Sequence, residues 1–225
     1  MARTTLAGVV FVPALLVSLL ISTPAAPGAL VQATPVELWD VFPRNTQGDN
    51  GIYLQRRDAG TSNYVDLVNT KDFQWTTPDV EFGVPAVFRD PAPLIFAHPA
   101  AVNGTGFDRD AVMSVQLDGG TFPAVHITGN TTTGAAKTVG FYIYMGADNW
   151  NAPLFESGPG QSIDLTIPYT PGDRLYFATK AIGTDVNAWA KWDNVQITGV
   201  PEPTAGLSVV VVAMVCVAAR CRSVQ

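Results

Sequence analysis

The middle of the chain alternates apolar and polar or small residues with a period of two, and this pattern constrains the fold more than any other feature. Residues 112–117 and 139–145 show it most clearly. Alternation of this kind predicts strands with one buried face, and helical spacing is absent here. The same pattern predicts further strands over 52–57, 64–68, 84–88, 94–97, 163–167, 175–179 and 195–197. Many short strands separated by turn sequences predict one antiparallel β-sandwich over residues 34–199.

The N-terminal segment has the layout of a secretory signal peptide. Arg3 is the only charged residue among the first 33, and an apolar run from 6 to 21 leads into small residues at 25–29. A run interrupted by Pro13 and shorter than the roughly 20 residues of a bilayer-spanning helix favours a signal peptide over an anchor. We therefore expect residues 1–33 to be an export signal, cleaved between Ala25 and Ala33.

The C-terminal segment, residues 200–225, combines a short motif, an apolar span and a basic end. Pro201, Glu202 and Pro203 precede the uncharged span 205–219, which is followed by Arg220 and Arg222. This tail resembles the PEP-CTERM sorting segment. The resemblance implies recognition by an exosortase-type membrane enzyme, a transmembrane helix over 205–219, at least transient anchoring at the C-terminus, and residence in the cell envelope or in extracellular polymer. An ordinary C-terminal anchor is the alternative.

The charge balance excludes one class of partner. Residues 34–199 carry 10 Lys and Arg against 18 Asp and Glu, a net charge of −8. Nucleic-acid binding depends on a basic stripe that neutralises phosphates, so a nucleic-acid partner is not expected. Both cysteines, Cys216 and Cys221, lie in the tail, which leaves the domain no disulfide and no thiol nucleophile.

The second half of the domain has a resemblance of its own. The features that carry it are strands over 140–145 and 162–167, the Pro171-Gly172-Asp173 turn, the polar loop 183–187 and the aromatic segment 189–193. They are similar to jelly-roll modules of the galactose-binding-like group, which includes carbohydrate-binding accessory domains of exported bacterial proteins. The resemblance implies a jelly-roll-like sandwich and a non-catalytic binding role.

Aromatic and polar residues near predicted strand ends form the candidate ligand site. Tryptophan rings suit the apolar faces of sugars, and nearby amides and carboxylates suit their hydroxyl groups. Trp189 and Trp192 are three apart, so on a straight strand they point to opposite faces, and one of them is expected in the core. A binding site requires Trp150 and Trp189 to be exposed, and the alternative is that Trp192 packs in the core while Trp150 and Trp189 support loops. The candidate ligand-binding residues are Asn149, Trp150, Asp185, Asn187 and Trp189.

Metal and enzyme chemistry have weaker signals. Asp185, Asn187 and Asp193 offer oxygen ligands that suit calcium, although without EF-hand spacing, and stabilising a turn is the alternative role. His98 and His126 are isolated, and neither an HExxH nor a GxSxG motif is present. We therefore expect no catalytic residues and no cofactor other than calcium.

Three functions follow, in decreasing order of support. The first is an exported module that binds extracellular polysaccharide. The second is a structural matrix or surface protein without a small ligand. The third is a glycan-active hydrolase, which would need two opposed carboxylates that the sequence alone does not identify.

Overall fold

The computed structural model describes residues 30–58, 60–77, 85–90, 93–100, 109–118, 122–133, 139–182 and 190–202. Within these residues, the helical structure is one 3-10 turn, Asp49–Gly51, and the rest of the regular structure is β. The strands are β1 (Val36–Glu37), β2 (Ile52–Asp58), β3 (Tyr64–Asp66), β4 (Val68–Lys71), β5 (Gln74–Thr76), β6 (Ala86–Arg89), β7 (Leu94–His98), β8 (Arg109–Gln116), β9 (Ala124–Thr132), β10 (Val139–Met145), β11 (Phe155–Ser157), β12 (Ser162–Pro168), β13 (Arg174–Ala181) and β14 (Ala190–Val200).

These strands form two sheets. The first has eight strands in the order β12-β9-β14-β7-β6-β5-β4, with β1 paired to β14. The second has six strands in the order β11-β10-β13-β8-β2-β3. All pairings recorded between these strands are antiparallel. The prediction of an all-β antiparallel sandwich is therefore confirmed.

The core between the sheets is built from the alternate residues that the period-two pattern identified. Met113, Val115 and Phe141 of the six-stranded sheet and Trp192 and Ile197 of the eight-stranded sheet belong to one buried cluster. Such a cluster stabilises the sandwich because it removes apolar surface from water. The remaining residues of each strand form the outer faces, and the outer face of the six-stranded sheet carries the candidate site.

Trp192 joins the two sheets, as expected for a core residue. It is 1% exposed and makes edge-on ring contacts with Phe141 at 5.0 Å and Phe177 at 5.4 Å. Its indole Nε1 donates a hydrogen bond to Thr179 Oγ1 at 3.2 Å, so the buried N–H is satisfied. The prediction that one of Trp189 and Trp192 belongs to the core is confirmed.

The folded domain begins before residue 34. Leu30 and Val31 are 2% and 0% exposed and belong to the core cluster, although the sequence analysis assigns them to the signal peptide. The Val31 N–H donates to the Asp118 carbonyl at 3.3 Å, and the Gly199 N–H donates to the Gln32 carbonyl at 2.6 Å. Residues 30–32 are therefore part of the sandwich, and a signal peptide that ends at 33 would remove core contacts.

The two terminal segments fall largely outside the described residues. These are residues 1–29 of the expected signal peptide and residues 203–225 of the tail, with Pro203, Arg220 and Arg222. Pro201 and Glu202 directly follow β14 and are exposed. In the part of the chain that the structure describes, no helix has the length and apolar character needed to cross a membrane.

Candidate functional site

An aromatic cluster covers the outer face of the six-stranded sheet. Its members are Tyr64, Tyr142, Tyr144, Trp150 and Tyr176. Tyr144 and Tyr176 are buried, whereas Tyr64, Tyr142 and Trp150 are partly exposed. The Trp150 ring lies 4.4 Å from Tyr144, 5.3 Å from Tyr64 and 5.9 Å from Tyr176, measured between centroids. Buried rings next to the sheet thus support partly exposed rings above them.

A buried ion pair lies beneath Trp150. Arg57 of β2 and Asp110 of β8 face each other across neighbouring strands, and their side chains are 3% and 5% exposed. The Arg57 Nε donates to Asp110 Oδ2 at 2.9 Å, the Arg57 Nη2 donates to the same oxygen, and the Arg57 Nη1 donates to the Thr61 carbonyl at 3.1 Å. The guanidinium carbon also lies 3.6 Å from the Trp150 ring centroid, within the range of a cation–π contact.

A shallow groove opens beside this cluster, between two loops. One wall is the β2–β3 turn, with Gly60, Thr61 and Ser62, and the other is the β10–β11 loop, with Asp148, Trp150 and Asn151. The groove has a volume of about 260 Å³. Its lining combines an indole ring with hydroxyl, carboxylate and amide groups, which together offer hydrogen-bond donors and acceptors beside an apolar surface.

The indole N–H of Trp150 is buried, and no group among the described residues accepts a hydrogen bond from it. A buried donor left unpaired costs roughly 1–3 kcal/mol. By contrast, the Trp39 Nε1 donates to the Asp90 carbonyl at 2.8 Å. Trp39 also packs on an arginine, because the guanidinium carbon of Arg89 lies 3.4 Å from the centroid of its ring. The unpaired donor therefore distinguishes Trp150 from a second arginine-packed tryptophan of the same chain.

Lys180 gives the cluster a second cation. Its Nζ donates to the Tyr144 hydroxyl at 2.6 Å and lies 4.0 Å from the Tyr142 ring centroid. Burial lowers the pKa of Lys180, and burial raises the pKa of Tyr144, of Tyr64 and of Tyr176. Each shift has the same first cause, because a low-dielectric setting disfavours the charged form of the group. The phenols in this cluster therefore stay neutral hydrogen-bonding groups at neutral pH.

The structure places only part of the predicted ligand set. Asn149 and Trp150 lie in the β10–β11 loop, where the Asn149 Nδ2 donates to the Met145 carbonyl at 2.6 Å and so holds the loop in a turn. Trp150 is partly buried instead of freely exposed, because the loop folds over the sheet. Asp185, Asn187 and Trp189 lie outside the described residues.

The calcium candidates are divided in the same way. Asp193 is in β14, next to a register shift between Asp193 and Gln196, whereas Asp185 and Asn187 are outside the described residues. No group of three or more His, Cys, Asp or Glu side chains is placed to hold a metal ion within the described part of the chain. The calcium site stays a prediction.

The two histidines make local contacts. His126 points away from the core on β9, and its Nε2 lies 2.8 Å from Asp164 Oδ1 on the neighbouring strand β12. His98 ends β7, and its Nδ1 lies 2.9 Å from the Pro99 carbonyl. Both contacts are at hydrogen-bonding distance.

Sequence reasoning did not identify Arg57, Asp110 or Tyr64 as part of the site. A partial signal was present, because Gln55 and Arg57 are polar residues on alternate positions of a predicted strand whose other face begins with Ile52 and Leu54, although Arg56 also lies on that other face. That signal places Arg57 on the outer face. It does not reveal the pairing with Asp110, which is 53 positions away along the chain.

Comparison with known proteins gives similarities to solved structures. No protein-family model matches the chain, and no curated protein does so either. The chain is similar to a CBM51 module from Clostridium perfringens in complex with methyl-galactose, with 12% identity and a TM-score of 0.34 over 73% of this chain and 100% of that one. It is also similar to the xylan-binding module CBM15, with 13% identity and a TM-score of 0.36 over 67% and 92% of the two chains. A CBM61 module in complex with beta-1,4-galactotriose matches with 10% identity and a TM-score of 0.33 over 71% and 98%. These similarities in overall shape are weak, so what the site binds has to follow from its own residues.

Proposed function

We propose that this chain is an exported, non-catalytic carbohydrate-binding protein and that its site is the groove at Trp150. The observation that carries the proposal is the combination of a partly exposed indole ring and a polar lining in one groove. Sugars present apolar C–H faces and many hydroxyl groups. An aromatic ring bordered by carboxylate, amide and hydroxyl groups matches both parts of such a ligand.

The lining of the groove supports binding over hydrolysis. Glycoside hydrolases use two carboxyl groups about 5–9.5 Å apart on either side of the scissile bond. Asp148 is the only carboxylate among the described residues that line the groove. A single carboxylate can accept hydrogen bonds from sugar hydroxyls, and it does not form the required pair.

Export and sorting complete the proposal. The N-terminal apolar segment and the tail with Pro201, Glu202 and Pro203 support export, recognition by an exosortase-type enzyme and residence in the cell envelope or extracellular polymer. The exposure of Pro201 and Glu202 directly after β14 is consistent with access by a sorting enzyme. Cell fractionation and intact mass test this part, and a cytoplasmic protein that still begins at Met1 would contradict it.

Binding is tested with a glycan array followed by titration of three variants. Trp150→Phe keeps an aromatic ring but reduces the apolar surface of the groove, so it should weaken binding while the protein stays folded. Asp148→Asn should weaken binding by removing a charged acceptor. Trp39→Phe is the matched control, because Trp39 packs on Arg89 as Trp150 packs on Arg57 but does not line the groove. Equal losses in Trp39→Phe and Trp150→Phe would contradict the assignment of the site.

The second candidate is a structural surface protein without a small ligand. It is favoured by the extent of burial in the aromatic cluster, since Tyr144 is fully buried and Trp150 is partly covered. In that case the rings only stabilise the sheet. A folded wild-type protein that binds no saccharide on the array would support this alternative over the first.

A further inference from the structure

The outer face of the six-stranded sheet is closed by the loop that carries Trp150. Val112 and Ala178 have side chains on this outer face, yet both are fully buried. The cover comes from the aromatic cluster, because Trp150 and Ala147 of the β10–β11 loop pack against the buried group that Val112 and Ala178 form with Tyr144 and Tyr176. A sugar chain that lay across the middle of this sheet would have to displace Trp150.

The loop is fixed in this position by hydrogen bonds along its length. The Gly146 N–H donates to the Arg174 carbonyl at 2.9 Å, and the Leu154 N–H donates to the Ile143 carbonyl at 2.8 Å. Between these ends, the Tyr64 hydroxyl donates to the Ala147 carbonyl at 3.2 Å. The Ala152 N–H donates to the Asn149 carbonyl at 3.0 Å inside the loop. Because its first two residues and its last residue are bonded to neighbouring strands, the loop is a fixed part of the site.

The space left beside the loop is small. Its volume of about 260 Å³ is below the roughly 300–1,000 Å³ of pockets that enclose drug-sized ligands. Asp148, Asn151 and Ser62 are exposed around it, and Trp150 forms its apolar part. A space of this size accommodates one sugar ring, with acceptors and donors for its hydroxyl groups, and it does not accommodate several consecutive rings.

We infer that the groove recognises one terminal saccharide unit, or a free monosaccharide, instead of an internal stretch of a polysaccharide. This inference rests on the proposed carbohydrate-binding function and specifies its ligand. The closed sheet face prevents a chain from continuing across the strands, and the groove between the two loops holds the end unit.

The experiment measures affinity against chain length with the full-length exported protein. The probes are the methyl glycoside of the best array sugar and its di-, tri- and hexasaccharides, titrated by calorimetry. Affinities within about threefold of one another are expected, because units beyond the first add few contacts. An affinity that rises about tenfold or more from the monosaccharide to the hexasaccharide would overturn the inference, because it indicates binding along the chain.

A blocking variant keeps the inference separate from the proposed function. Asn151→Trp fills the groove and should abolish binding of the methyl glycoside, whereas Thr166→Trp, on the exposed edge strand β12, should leave it unchanged. Binding that survives in Asn151→Trp would overturn the inference even if the protein binds glycans elsewhere. If a folded wild-type protein binds no sugar on the array, the proposed function itself fails.

Discussion

The guanidinium carbon of Arg57 lies 3.6 Å from the centroid of the Trp150 ring, and the same guanidinium is paired with Asp110 below the aromatic cluster. Arg57 also donates to the Thr61 carbonyl, so one side chain contacts residues from both loops that line the groove. The geometry of the groove and the stability of the outer sheet face are therefore coupled through this arginine.

The first prediction concerns the Arg57–Asp110 pair. Asp110→Ala should lower the free energy of unfolding by about 3–5 kcal/mol, because it leaves a buried arginine without its counter-ion. The double variant Arg57→Met with Asp110→Leu removes both charges and should be clearly more stable than Asp110→Ala. Urea unfolding of the three proteins tests this, and wild-type stability in Asp110→Ala would contradict a buried pair.

The second prediction separates core packing from the site. Trp192→Ala should cost about 3–5 kcal/mol of stability through the cavity it leaves. Trp192→Phe keeps most of the packing and leaves Thr179 without the indole donor, so we expect a smaller loss, about 1–3 kcal/mol. Thermal melts with calorimetry measure both variants. An unchanged melting temperature in Trp192→Ala would show that the sheets do not share this core.

The fold was predictable from sequence where burial alternates along a strand. In β12 and β14 buried residues alternate with exposed or half-buried ones, so the period of two is visible in the sequence. The hairpin of β4 and β5 was not predicted, because β4 is largely exposed and carries no alternation to detect. Its position depends on pairing with β5, which in turn pairs with β6.

The site was predictable only in part, because its contacts are distant in sequence. A tryptophan in a polar loop indicates a binding residue, and the sequence identified Trp150 on that basis. Its partial burial depends on where the loop folds relative to Tyr64 and Tyr176, which belong to other strands. Local patterns contain no information on that contact, so the sequence does not decide between an exposed Trp150 and one that supports its loop.

The third prediction is a loss of stability in alkaline solution. A tyrosine whose pKa is raised by burial keeps its proton in the folded state at a pH where the unfolded chain has lost it. For Tyr64 and Tyr144 this means that stability falls as pH rises above about 10, the ordinary tyrosine pKa. Lys180 acts in the opposite sense. Its pKa is lowered, so the folded state loses the ammonium proton at a lower pH than the unfolded chain does. The contribution of Lys180 to stability therefore rises with pH until the ordinary lysine pKa is passed.

The contribution of Lys180 stops rising once the pH passes the ordinary lysine pKa, whereas that of the tyrosines continues to fall, so the net change at higher pH is a fall. Ultraviolet phenolate absorbance and circular dichroism can follow it together. Both signals should change in one transition, because these phenols ionise when the chain unfolds. As the pH rises from 10 to the unfolding transition, the double variant Tyr64→Phe with Tyr144→Phe should lose less stability than the wild type, because it lacks the two phenols whose pKa values burial raises. Gradual phenolate formation at about pH 10 in a protein that keeps its fold would contradict the raised pKa values.

The fourth prediction places the N-terminus of the mature protein. Leu30 and Val31 are in the core, and each buried side chain of this kind contributes about 1.5–3 kcal/mol. A chain that starts at residue 34 should therefore unfold at lower urea concentration than one that starts at residue 30, with both ending at 202.

Because losing these contacts would weaken the folded domain, we expect signal cleavage before Leu30, at the small residues from Ala25 to Ala29. Intact mass of the exported protein checks the cleavage site, and the matched control is a Leu30→Ser, Val31→Ser variant of the longer chain, which should be destabilised like the truncation. A mature N-terminus at residue 34, together with equal stability of the two chains, would show that these residues are dispensable to the sandwich.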